Sequence, residues 1–81
     1  MLSPFYVSIF FNPEGYRKIL VTETYVSNQV RRFWVTGRNR SVVLEKALWK
    51  GKNNWKIIEG EMKEDKVLAI ARAIDNKLKA K

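Results

Sequence analysis

Two periodicities divide the chain near residue 62. Before that point, short runs rich in β-branched and aromatic residues are separated by turn-forming clusters, which predicts strands. "FYVSIFF" (Phe5 to Phe11) ends in "NPEG", where Asn12, Pro13 and Gly15 suit the first, second and fourth positions of a type I turn. "YRKILVTETYV" returns as a second strand and "SNQ" breaks it; "VRRFWVT", "SVVLEKALW" and "WKIIEGE" come next, separated by "GRNR" and "KGKNN". The predicted strands cover residues 5–11, 16–26, 30–36, 41–49 and 55–61. Turns this short make neighbouring strands antiparallel, because parallel pairing needs a crossover of a dozen or more residues.

Beyond Met62 the spacing is helical. Val67, Ile70, Ala71, Ile74 and Leu78 fall on one stripe of a helix predicted over residues 63–79. Glu61, Glu64 and Asp65 at its start and Lys77, Lys79 and Lys81 at its end match the helix dipole. The apolar stripe needs a partner, and one face of the sheet is the available one. The expected fold is therefore α+β: a five-stranded antiparallel β-meander with one C-terminal α-helix packed on one face, in a single domain over residues 1–81.

Alternation assigns the strand faces. Phe5, Val7, Ile9 and Phe11 form one set in the first strand, with Tyr6, Ser8 and Phe10 on the other. In the third strand Phe33 and Val35 alternate with Arg32, Trp34 and Thr36, which puts Trp34 beside Arg32 on the solvent side. The second strand is ambiguous, since Ile19 and Val21 share a face with Arg17 and Glu23, and Leu20 shares one with Lys18 and Thr22. One helix leaves the second sheet face uncovered, where Tyr6, Phe10, Leu20 and Trp34 could lie. Around the last hairpin two registers compete: a five-residue loop opposes Trp49 to Trp55, and a four-residue loop puts Trp55 opposite Leu48. A tryptophan flanking such a turn is more often a packing residue than a ligand platform.

The chain is strongly basic, with 16 Lys and Arg against 8 Asp and Glu. Residues 31–56 hold eight of the cations, one acid and all three tryptophans. In a meander alternate turns share an end, so Arg38 and Arg40 lie with "NPEG", and Arg31 lies with Lys50 and Lys52. Cations interleaved with aromatic side chains on an open sheet suit single-stranded nucleic acid, the cations tracking phosphates and the rings stacking on bases. The competing explanation is solvated charge that blunts edges and attracts any polyanion.

Other chemistry is narrowed by what the chain lacks. It has neither cysteine nor histidine, which removes Cys/His nucleophile pairs, Ser-His-Asp triads and ordinary zinc sites. Glu23, Glu45 and Glu59 fall singly in three strands and suit two-metal chemistry badly; pairs with Lys18, Arg32 or Lys56 are the plainer expectation. "GRNR" and "KGKNN" carry one glycine each and no following helix, so they are turns rather than phosphate cradles. The helix mixes acids with lysines on its polar face, unlike a membrane-surface element. No stretch approaches the roughly 20 apolar residues of a membrane span. "MLSPFYVSIFF" has no basic leader and is broken by Pro4, so it does not resemble a signal peptide. A chain this short buries only roughly 60 to 65% of its unfolded surface. A soluble cytoplasmic protein is the expectation.

The order of strands followed by one long helix resembles the layout of the PUR and Whirly groups of single-strand nucleic-acid-binding domains. That resemblance implies a nucleic-acid partner and a dimer or paired repeat, and it transfers no residue, because no motif of either group occurs here. The expected function is a small non-catalytic module, not an enzyme, that binds single-stranded nucleic acid or another polyanion. Arg31, Arg32, Arg38, Arg40, Lys50, Lys52 and Lys56 would contact phosphate, and Trp34, with Trp49 or Trp55 as further candidates, would stack on bases. No cofactor, metal or membrane is implied, and a homo-oligomer is expected. The alternative is a protein-interaction or homodimerisation domain that uses the open face, its charge serving solubility.

Overall fold

A computed structural model describes residues 3–11, 13, 15–37, 40–48 and 54–79. Strands β1 (Phe5–Phe11), β2 (Gly15–Val26), β3 (Val30–Thr36), β4 (Ser41–Ala47) and β5 (Asn54–Glu59) precede one helix, α1 (Glu64–Lys79). They form a single antiparallel sheet in the order β1-β2-β3-β4-β5, with α1 packed on one face. This is the expected α+β meander. Boundaries shift at the turns: β2 begins at Gly15, which pairs with Phe11 at a φ of 90°, a backbone state glycine adopts freely. Strand β4 ends at Ala47 and β5 spans 54–59 instead of 55–61. The helix starts one residue later than expected, and the Lys63 carbonyl accepts its first turn's bond from the Val67 N–H at 3.0 Å.

The core follows the two periodicities. Val7, Ile9, Ile19, Val21, Phe33, Val35, Val42 and Leu44 point from one sheet face towards Val67, Ile70, Ala71 and Ile74 of α1. Phe5, Phe11, Trp55, Ile57 and Leu78 close its rim. The ambiguity in β2 resolves with Ile19 and Val21 beneath the helix and Leu20 opposite Tyr6 on the other side.

Two bulges interrupt the ladder. In β2, Glu23 pairs with Phe33 but Tyr25 pairs with Arg32, so Thr24 is the extra residue. In β5, Glu59 pairs with Val43 and Ile57 with Leu44, leaving Ile58 as the extra one. Each bulge reverses the face parity of the strand residues beyond it.

Neither register expected for the last hairpin occurs. Trp55 lies opposite Lys46, and Ala47 opposite Asn54, while Trp49 falls outside the described residues. The observed pairing puts Trp55 on the helix side, where its ring sits 5.5 Å from that of Phe33. There its indole N–H donates to Asp75 Oδ2 at 3.2 Å, and Lys46 Nζ donates to Asp75 Oδ1 at 2.6 Å. One carboxylate of α1 thus satisfies two polar groups of β4 and β5, which favours the observed register.

Gly60 ends β5 with φ 87°, and a Cβ there would meet the Ser41 carbonyl oxygen at 2.8 Å and Val42 Cγ1 at 2.9 Å. Gly15 also has a positive φ, but a Cβ added there meets nothing within 4 Å. Gly15→Ala is expected to cost about 1 kcal/mol, and Gly60→Ala about 2–3 kcal/mol because steric crowding adds to backbone strain. Urea unfolding of the two variants checks the order; equal losses would mean that β5 moves away from β4 at little cost.

Candidate nucleic-acid interface

The face of the sheet opposite α1 is lined by registered rows. Tyr6, Leu20, Thr36 and Ser41 lie across β1 to β4; Thr22, Trp34 and Val43 form the next row; Tyr25, Arg32, Glu45 and Lys56 form a third. Phe10 lies opposite Tyr16 near the first hairpin, their rings meeting edge to face at 5.2 Å. Ser8 lies opposite Lys18 between those rows. Five aromatic side chains on this face are open to solvent, from 45% for Tyr25 and 46% for Trp34 to 76% for Tyr16. Such exposure is costly for aromatic residues unless a partner covers them.

The cations of the third row are held in place. Arg32 Nε donates to Glu45 Oε2 at 2.8 Å, and its guanidinium lies 5.1 Å from the centre of the Tyr25 ring. Lys56 Nζ stands 3.5 Å from the other Glu45 oxygen and remains largely exposed. Glu45 is thus flanked by two cations, and the hydrogen bond from Arg32, then the charge of Lys56, holds its carboxyl below the ordinary value. Of the expected carboxylate pairs, Arg32 and Lys56 with Glu45 are present. Glu23 instead pairs with Arg31 on the opposite face.

The sequence-predicted residues separate into three groups. Arg32, Trp34 and Lys56 come together on the open face, with Trp34 beside Arg32. Arg31 does not join them: it faces the helix side, where its Nε donates to the fully buried Glu23 at 2.6 Å and its guanidinium packs 5.6 Å from the Phe33 ring centre. Its position at the start of β3 suggested an exposed cation, whereas strand parity gives it the same face as Phe33. Arg40 is exposed at the end of the sheet near the first hairpin, and its carbonyl accepts from the Gly37 N–H at 2.8 Å. Arg38, Lys50, Lys52 and Trp49 lie outside the described residues. Trp55 is half-buried beneath the helix edge and bonded to Asp75, so it offers no free ring face comparable with that of Trp34.

Three residues of the face escaped the sequence reading: Tyr16, Lys18 and Tyr25. Tyr16 and Lys18 follow from the tight first hairpin, which sets them opposite Phe10 and Ser8. Tyr25 could not be found by alternation, which puts it beneath the helix with Val21 and Glu23. The Thr24 bulge turns it to the open side.

Neither a protein-family model, a curated protein nor a solved structure matches the chain. The likeness to the PUR and Whirly groups therefore remains one of element order. Among the described residues no helix is long and apolar enough to cross a membrane, and no group of three or more Asp or Glu is placed to hold a metal ion.

The lowered Glu45 pKa ties stability to pH. A carboxylate whose folded value lies below its ordinary 4.5 stabilises the fold above that pH, and the contribution is lost as pH falls through the folded value. Because Arg32 and Lys56 are substantially exposed, the contribution is expected to stay under about 1 kcal/mol. Thermal melts of wild type and Glu45→Gln between neutral pH and pH 3 check this: the variant should lose less stability on acidification. Parallel curves would show that the trio contributes nothing.

Proposed function

We propose that this protein is a non-catalytic module that binds single-stranded nucleic acid on the open face of its sheet, in a cytoplasmic setting. The observation that carries the reading is the run of exposed rings, Tyr6, Phe10, Tyr16, Trp34 and Tyr25, interleaved with Lys18, Arg32 and Lys56 on one surface. Rings on neighbouring strands of such a surface take successive bases, and cations between them meet the phosphates. The net charge of +8 favours a polyanion over other partners and speeds its approach. Packing this face on a second copy of itself fits less well, because Lys18, Arg32 and Lys56 would be desolvated near their own kind.

Glu45 sets the strength of the grip. In the free protein its single negative charge is shared between Arg32 and Lys56, so a phosphate must compete with it for both cations. Removing its charge is expected to tighten binding, by roughly 3- to 10-fold at low salt, and to steepen the salt dependence.

Trp34 is the best probe of stacking. Fluorescence titration with short single-stranded DNA and RNA, with heparin as a base-free polyanion, should show quenching by oligonucleotide alone. Trp34→Phe should remove most of that signal, and Trp34→Ala should weaken affinity roughly 5- to 100-fold, the loss of one stacked base. The log-log salt slope should be about −0.7 per phosphate neutralised. Equal responses to heparin and oligonucleotide, or an unchanged affinity in Trp34→Ala, would overturn the reading.

A further inference from the structure

The two edges of the sheet are treated differently. Strand β5 carries Lys56 and Glu59 and is bent by the Ile58 bulge, devices that keep an edge from pairing with another chain. Strand β1, "FYVSIFF", has no charge and no proline, and its pairing with β2 runs unbroken over all seven residues. Pro4 and Pro13 bracket it without interrupting it. By the ordinary rules for edge strands, the residues of β1 itself carry no protection.

Its sequence is also complementary to itself. Laid antiparallel to a second copy about Ser8, Phe5 opposes Phe11, Tyr6 opposes Phe10, Val7 opposes Ile9, and Ser8 opposes Ser8. Aromatic meets aromatic, β-branched meets β-branched, and the single polar residue lies on the two-fold axis. Face parity is kept, since Phe5, Val7, Ile9 and Phe11 belong to the helix side in both copies and Tyr6, Ser8 and Phe10 to the open side. A groove lined by Tyr6, Val7, Ser8, Ala73, Asn76 and Lys77 runs beside the β1 edge, so the helix meets it with one small residue, Ala73, and two polar ones. Lys77 Nζ lies 5.9 Å from the Phe5 ring centre and Lys66 Nζ 5.2 Å from that of Phe11. The Phe5–Phe11 pairs of a dimer would therefore each be roofed by two lysines.

We propose that two copies of this chain pair through β1 about a two-fold axis at Ser8, making one continuous ten-stranded antiparallel sheet with both helices on the same side. The pairing is isologous, so it consumes the bare edge of each copy and leaves only the charged β5 edges outside. It also leaves the open faces free and joins them into one surface, with Tyr6 of one copy beside Phe10 of the other. Pairing through β1 does not depend on nucleic-acid binding, since it follows from the two sheet edges and the residues that flank β1. Two cationic copies repel, so the dimer should strengthen as salt rises, whereas nucleic-acid binding weakens.

Sedimentation equilibrium of the nucleic-acid-free protein across a salt series tests it. The expected mass is twice the chain's 9.5 kDa, with the dimer fraction increasing with salt. Ser8→Lys sets two lysines opposite each other on the axis and should weaken association roughly tenfold or more. Mixing Ser8→Lys with Ser8→Glu should restore a heterodimer, visible by native mass spectrometry. Circular dichroism of each variant confirms folding, which an edge lysine is expected to permit. A wild type that stays at 9.5 kDa at every salt concentration overturns the proposal. So does a dimer that survives Ser8→Lys and is lost in Trp34→Lys, which would place the interface on the open face. Either result leaves the Trp34 quenching experiment free to succeed or fail by itself.

Discussion

One helix cannot cover two sides of a sheet. Helix α1, about 10 Å across, lies on five strands spaced about 4.8 Å apart, and its single apolar stripe serves one face. Every other feature depends on how the two faces are then finished. On the covered side, Phe33 and the aliphatic residues of β1 to β4 fill the middle. At the β4–β5 margin, where the helix stripe runs out, Asp75 reaches across to Lys46 and Trp55. On the uncovered side no described element packs over the aromatic residues, and Tyr25 stands in one row with Arg32 and Lys56.

The adjacent residues Arg31 and Arg32 show how differently the two faces use charge. Arg31 turns under the helix side to Glu23, whose side chain has no solvent exposure; losing Arg31 would take a close cation from a buried carboxylate, the costly kind of change for an ion pair. Arg32 turns outward to Glu45, in contact with water and with a second cation, Lys56. Because both cations of that trio are exposed, it adds little to stability, and so they can exchange Glu45 for an anionic ligand at small cost to the fold. The first pair is structural, and the second is suited to binding.

Much of this is legible from residue order. The meander, the helix stripe, the core set of β1 and the outward direction of Trp34 all come from periods of two and 3.6 with short turns between them. What escapes depends on single-residue insertions. The Thr24 bulge carries Tyr25 to the open face, and the Ile58 bulge helps put Trp55 opposite Lys46; neither leaves a mark in local composition, because both answer to sheet twist and to contacts with a distant helix. Arg31 is misplaced for a different reason. Its strand parity already assigns it to the Phe33 face, but a position near a strand end argues for exposure, and a buried carboxylate such as Glu23 is not something composition anticipates.

In the proposed function the open face, and not the charge of the chain as a whole, recognises nucleic acid. Amide and indole ¹⁵N chemical-shift mapping with a short single-stranded oligonucleotide near physiological salt tests it most directly. Large shifts are expected at the Trp34 indole and along Tyr6, Tyr16, Tyr25, Arg32 and Lys56, with the Trp55 indole, bonded to Asp75, nearly unmoved. Shifts centred on α1, or spread evenly over lysines of both sheet faces, would contradict it.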